Sequence, residues 1–204
     1  MKTMYSLMLD DALIKLVDGA SFQSGVSRSQ YINELLAEHF GLDTPTKRLQ
    51  SIFDEIFSYL RPTVGLKVER RQQSSVDFLG SLEYKYSPRV TYSVELDGME
   101  RRGKLRVTLR TTNSALLDIT DRFFNDFIET EKSMGKRARY DVDSGRFARS
   151  LDFSAYSADK LSVAITEYVK AFDKLLNLYV ANYGETSKKD FEKYYLSLFG
   201  DTEI

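Results

Sequence analysis

Apolar residues recur along this chain at two spacings, and the places where the spacing changes divide it. At the start, Tyr5, Leu7 and Leu9 alternate with Met4, Ser6 and Met8, the period of a half-buried strand, which is expected from Lys2 to Leu9. Asp10 or Asp11 then caps a helix bearing Leu13, Leu16, Val17 and Ala20 on one side, with Gly25 as its end. Ser27 caps a second helix whose inward residues are Ile32, Leu35, Leu36 and Phe40, and Gly41 stops it.

Gly41 to Pro45 reads as a linker between a unit of residues 1–44 and a second of residues 46–204. Thr46 is expected to cap a helix over 46–61 carrying Leu49, Ile52, Phe53, Ile56, Phe57 and Leu60, closed by Pro62. From about 66 to 110 the period falls to two. Leu82, Tyr84 and Tyr86, then Val90, Tyr92, Val94 and Leu96, then Leu105, Val107 and Leu109 alternate with polar residues, which predicts an antiparallel meander with one wet face. Asn113 or Ser114 starts a helix over 114–134, and further helices are expected over 157–183 and 187–199. Lys136 to Ser150 reads as basic and irregular, with a short strand near Phe147. The expected fold class is α+β: an N-terminal β-α-α unit, then a meander packed by helices on one face.

Composition narrows the chemistry. The chain has 204 residues, no cysteine and one histidine, His39, so disulfides, zinc clusters, thiol nucleophiles and paired imidazoles are excluded. Asp118 with Asp121, and Glu129 with Glu131, read as solvated helix faces, and no glycine spacing forms a nucleotide loop. No enzyme activity, metal or cofactor is therefore expected. The apolar run Met4 to Leu9 is too short for a targeting signal and no run could span a bilayer, so a cytoplasmic protein with no membrane contact is expected. Charge is unevenly spread: residues 1–44 carry three bases against six acids, and residues 61–110 eleven bases against six acids.

Tyr5-Ser6-Leu7-Met8-Leu9-Asp10-Asp11 with Leu13 and Leu16, followed by Gly25-Val26-Ser27-Arg28-Ser29-Gln30-Tyr31-Ile32 and Leu35-Leu36, resembles the ribbon-helix-helix DNA-binding family, which includes the Arc, MetJ and CopG repressors. The resemblance covers about a fifth of the chain. It implies a homodimer on double-stranded DNA acting as a CopG-like transcriptional regulator or repressor. Lys2, Met4, Ser6 and Met8 would then face the bases, and Ser27, Arg28 and Ser29 would hold a phosphate. Two methionines at reading positions depart from the polar side chains common there, and the acidic unit departs from the usual basic one. Residues 46–204 are expected to add contacts, build higher oligomers or sense a signal. Accessory DNA contacts are expected from Lys104, Arg106 and Arg110, and from Arg137 and Arg139 with Arg146 and Arg149 beyond them. The rival expectation is a protein-interaction module, an antitoxin or assembly adaptor, that uses the N-terminal unit to dimerise and a protein as partner.

Overall fold

The computed structural model describes residues 4–42, 44–60, 65–71, 74–97, 102–185, 187–200, 202 and 204. The chain forms two compact units, Met1–Lys47 and Arg48–Ile204. In the first, the expected strand is not formed. Residues 4–10 hold no strand, and Lys2 lies outside the described residues. Alternation supplies the side chains of a strand, but the backbone donors and acceptors need a neighbouring strand to pair with, and none of the described residues of this chain provides one. The N-terminal order is therefore three helices followed by strands, and not β-α-α.

Helix α1 spans Asp11–Gln23 with Asp10 as N-cap, and α2 spans Arg28–His39 with the Ser27 hydroxyl accepting a hydrogen bond from the Gln30 amide at 3.2 Å. Between them Gly25 sits at φ +65°, a conformation that side chains disfavour, and Val26 N–H closes the turn on the Ser21 carbonyl at 3.1 Å. Helix α3 spans Pro45–Leu60 and starts earlier than expected. Its cap is Thr44, whose hydroxyl accepts from the Lys47 amide at 3.2 Å, and Pro45 takes the first helical position, where its missing N–H costs nothing.

The second unit is α+β. Strands β1 (Lys67–Arg71), β2 (Ser75–Ser81), β3 (Arg89–Asp97) and β4 (Arg102–Leu109) precede α4 (Ser114–Ser133); β5 (Tyr140–Asp143) and β6 (Arg146–Asp152) precede α5 (Ala158–Ala181) and α6 (Lys188–Phe199). They form one antiparallel sheet in the order β1-β2-β3-β4-β6-β5. Two expectations are corrected here. Leu82 to Tyr86 is a turn and not a strand: Leu82 N–H bonds the Pro88 carbonyl at 2.9 Å, Ser87 N–H bonds that of Tyr84 at 2.9 Å, and β2 lies just before it. Lys136 to Ser150 contains a hairpin, because Val142 and Phe147 pair across β5 and β6 and bring the latter alongside β4.

Alternation buries Val76 and Phe78, Val90, Tyr92 and Val94, Leu105 and Val107, and Phe147 on one side of the sheet. There they join Phe53 and Ile56 of α3, Phe123, Phe124 and Phe127 of α4, and Ile165, Val169, Phe172 and Leu176 of α5 in one core. Ring edges meet ring faces through it, as where Phe123 and Phe172 approach to 5.5 Å at 88°. Asp173 of α5 sits against the sheet where Gly80 leaves room: a Cβ on Gly80 would stand 2.8 Å from Asp173 Oδ1. Tyr92 donates its hydroxyl to that oxygen at 2.7 Å.

Burial pushes the Asp173 carboxyl up to about 6 against the opposing effect of the Tyr92 hydrogen bond, with Glu83 raising it further. The folded chain therefore holds this proton more tightly than the unfolded chain. Its contribution is complete below the unfolded pKa near 4 and is lost as pH rises through about 6, a loss of about 3 kcal/mol. Urea denaturation of the protein and of Asp173→Asn, at pH 4.5 and pH 7.5, should show a smaller decline in stability for the variant. Equal declines would show that Asp173 does not titrate in this range.

Candidate interaction surfaces

The residues expected to contact DNA fall into three environments. Met4, Ser6 and Met8 lie on the irregular segment before α1, and all three are exposed, Met4 at 95% and Met8 at 101%. They share no strand face. Ser27 uses its hydroxyl on its own helix, and Ser29 is exposed. Arg28 turns back onto α1, where its guanidinium donates to Asp18 Oδ2 at 2.7 Å and its Nε pairs with Oδ1. The cation expected to meet a phosphate thus already has a carboxylate.

On the sheet, Lys104 and Arg106 do share the open face opposite the core. Arg106 pairs with Glu95, and Lys104 stands opposite Glu95 in the β3–β4 register. Arg146 stands opposite Asp143 across β5 and β6. Cross-strand neighbours of opposite sign attract one another, so this face is charge-compensated and lacks the surplus positive field that a polyanion requires. Arg110 lies beyond the end of β4, away from the other two. Arg137 and Arg139 are exposed before β5, with Arg139 anchored by its amide on the Ser150 hydroxyl at 2.8 Å.

Arg149 and Glu131, read from sequence as a DNA-gripping base and a solvated acid, are the opposite: their side chains are 1% and 0% exposed. Arg149 follows Phe147 and precedes Leu151 on the core face of β6, and Glu131 lies four residues beyond Phe127 on the core stripe of α4. The spacing carried this signal, since both fall on an apolar repeat. Burial of each charge is matched by partners. Arg149 Nε donates to Glu131 Oε2 at 2.7 Å, Tyr140 to the same oxygen at 2.6 Å, and Tyr195 to Oε1 at 3.0 Å. The remaining guanidinium nitrogens donate to the carbonyls of Ser150 at 3.2 Å and Ile204 at 2.7 Å, and the Tyr168 ring lies 5.3 Å from the guanidinium carbon. All three guanidinium nitrogens and both carboxylate oxygens have internal partners, so the pair binds the fold together.

The largest unpartnered feature lies in the first unit. Among the described residues, thirteen of the twenty exposed large hydrophobic side chains lie between Met4 and Leu42. They include Leu13 at 48%, Leu16 at 69%, Leu35 at 51%, Leu36 at 43% and Phe40 at 68%. The inward faces expected for α1 and α2 are thus largely outward. The described residues of this unit that are buried are Ser21, Ala37 and Thr44, so it has no apolar core of its own. No helix among the described residues is long and apolar enough to cross a membrane.

No known protein family, curated protein or solved structure matches this chain.

Removing one member of the buried pair leaves the other charged and dry. Glu131→Ala should cost about 3–5 kcal/mol in urea denaturation, whereas Glu131→Leu combined with Arg149→Met should cost well under the sum of its two single changes. Additive losses would show that the two side chains stabilise the fold independently.

Proposed function

We propose that this protein is a self-associating interaction module: a homodimer formed through α1 and α2 whose α+β unit serves as a binding platform for a protein partner. The observation that carries the reading is the exposed apolar surface of the first unit, which has no buried core beneath it. A helix pair this small cannot offset its chain entropy without covering that surface.

The area supports a second copy as the cover. The chain exposes 13363 Å², whereas two separate compact bodies with the masses of the two units would together expose about 11,400 Å². The excess, roughly 2,000 Å², is of the size that one protomer covers in an obligate homodimer, about 1,000–2,500 Å² per partner.

A second reading, double-stranded DNA as partner and a regulator's role, is favoured by one feature. The capped start of α2 presents its leading amides beside Arg28 and Ser29, an arrangement suited to a phosphate. The Arg28–Asp18 pair and the acidic balance of residues 1–44 weigh on the other side.

Light scattering of the full chain from 1 to 100 μM should give twice the chain mass. Leu16→Asp and Leu35→Asp should each weaken association by about a hundredfold or more, because each would bury an unpaired charge at the contact. The near-ultraviolet circular dichroism of the Tyr- and Phe-rich second unit should be retained. A monomer at 100 μM would overturn the reading. For the second reading, DNA from upstream of the protein's own gene should shift in a salt-dependent way, with Arg28→Ala lowering affinity for all sequences alike; the absence of any shift would remove it.

A further inference from the structure

Between the turn at 82–88 and the start of α4 lies an open cleft of about 800 Å³. Its walls include Tyr84, Tyr86 and Pro88, and its polar rim includes Lys85, Arg110 and Thr111. Three features of this cleft suit a ligand.

The first is charge. Lys85 and Arg110 are both exposed with no carboxylate partner among the described residues, so each is open to an anion. The second is the Tyr86 ring. It is 89% exposed, a poor position for an aromatic side chain in water, and the Lys85 ammonium lies 5.2 Å from its centroid. The third is the backbone. Tyr86 at φ 67° and Ser87 at φ 44° are consecutive non-glycine residues in the left-handed region, a conformation that Gly or Asn would adopt with far less strain. The strained turn is closed by backbone hydrogen bonds at both ends, which fix where the Tyr86 side chain leaves the backbone beside the cleft.

A flat apolar face beside two unpaired cations matches one ligand chemistry, an aromatic ring that carries a phosphate. We infer that this cleft binds a nucleotide, with the base stacked on Tyr86 and the phosphate held by Lys85 and Arg110. Stacking tolerates any base because each has a π face, and the guanidinium matches phosphate geometry in two-point contact. The first turn of α4, whose leading amides lack intrahelical acceptors, adds favourable field for the phosphate. The nucleotide could come from two sources: free in solution, or part of a single strand of nucleic acid. The inference is independent of the dimer contact, which lies in the other unit.

Calorimetric titration of the full chain at low salt with adenosine monophosphate, an eight-residue thymidine oligonucleotide and inorganic phosphate tests it. Adenosine monophosphate should bind more tightly than phosphate if the source is free nucleotide. Binding of the oligonucleotide without the monophosphate would assign the site to single strands. Tyr86→Gly should lower affinity by about tenfold or more while raising the melting temperature, since it removes the ring and relieves the strained φ. Arg110→Ala should lower affinity to a similar degree and flatten its salt dependence with no change in melting temperature. Absence of binding by all three probes at millimolar concentration would overturn the inference, as would binding that Tyr86→Gly and Arg110→Ala both leave unchanged.

Discussion

The ion pair between Glu131 and Arg149 is the constraint around which the second unit closes. Two charges withdrawn from water are tolerable only when hydrogen-bonding partners replace the lost water, and here the partners come from separate parts of the chain: Tyr140 on β5, Tyr195 on α6 and the carbonyl of Ile204. The late elements are therefore held by directional bonds as well as by apolar contact. Apolar burial is not directional, whereas the charged pair has one satisfactory arrangement. It specifies where α4, α6 and the β5–β6 hairpin meet, and the rings of Phe127, Phe147 and Phe199 pack accordingly.

The two units stand in contrast. The second buries its apolar residues between one sheet face and its helices, and compensates the charges on the other face strand by strand. The first has the apolar residues of a core without enough chain to enclose them. A unit of this size has little chain with which to bury an apolar core, which is the ground for the proposed pairing with a second copy. Positive charge does not accumulate on the open face of the sheet, because Glu95 stands beside Lys104 and Arg106 and Asp143 opposite Arg146.

Much of this architecture was legible in the residue pattern. Ser27, Asn113, Ser157 and Ser187 each precede a helix as expected, and β3 and β4 follow their alternation. The candidate sites were less legible. Charge counting places Arg149 on a DNA-gripping loop and Glu131 on a solvated helix face, although both lie on an apolar repeat that faces the core. Both readings treat a charged side chain as solvated because of its type, when its place in the local period decides its surroundings.

By itself, the sequence determined where helices begin and end and which strand faces are apolar, since caps and periods are properties of neighbouring residues. It also excluded cysteine and multi-histidine chemistry outright. Tertiary structure decided the rest. Tyr5, Leu7 and Leu9 have the alternation of a strand yet form none, because a strand exists only with a partner for its backbone. Leu82 to Tyr86 alternates just as well but turns, because β2 and β3 pair just before and after it and the chain must reverse between them. Whether a charge is a surface group or a buried brace depended on which distant residues met it, and local pattern carries no term for that meeting.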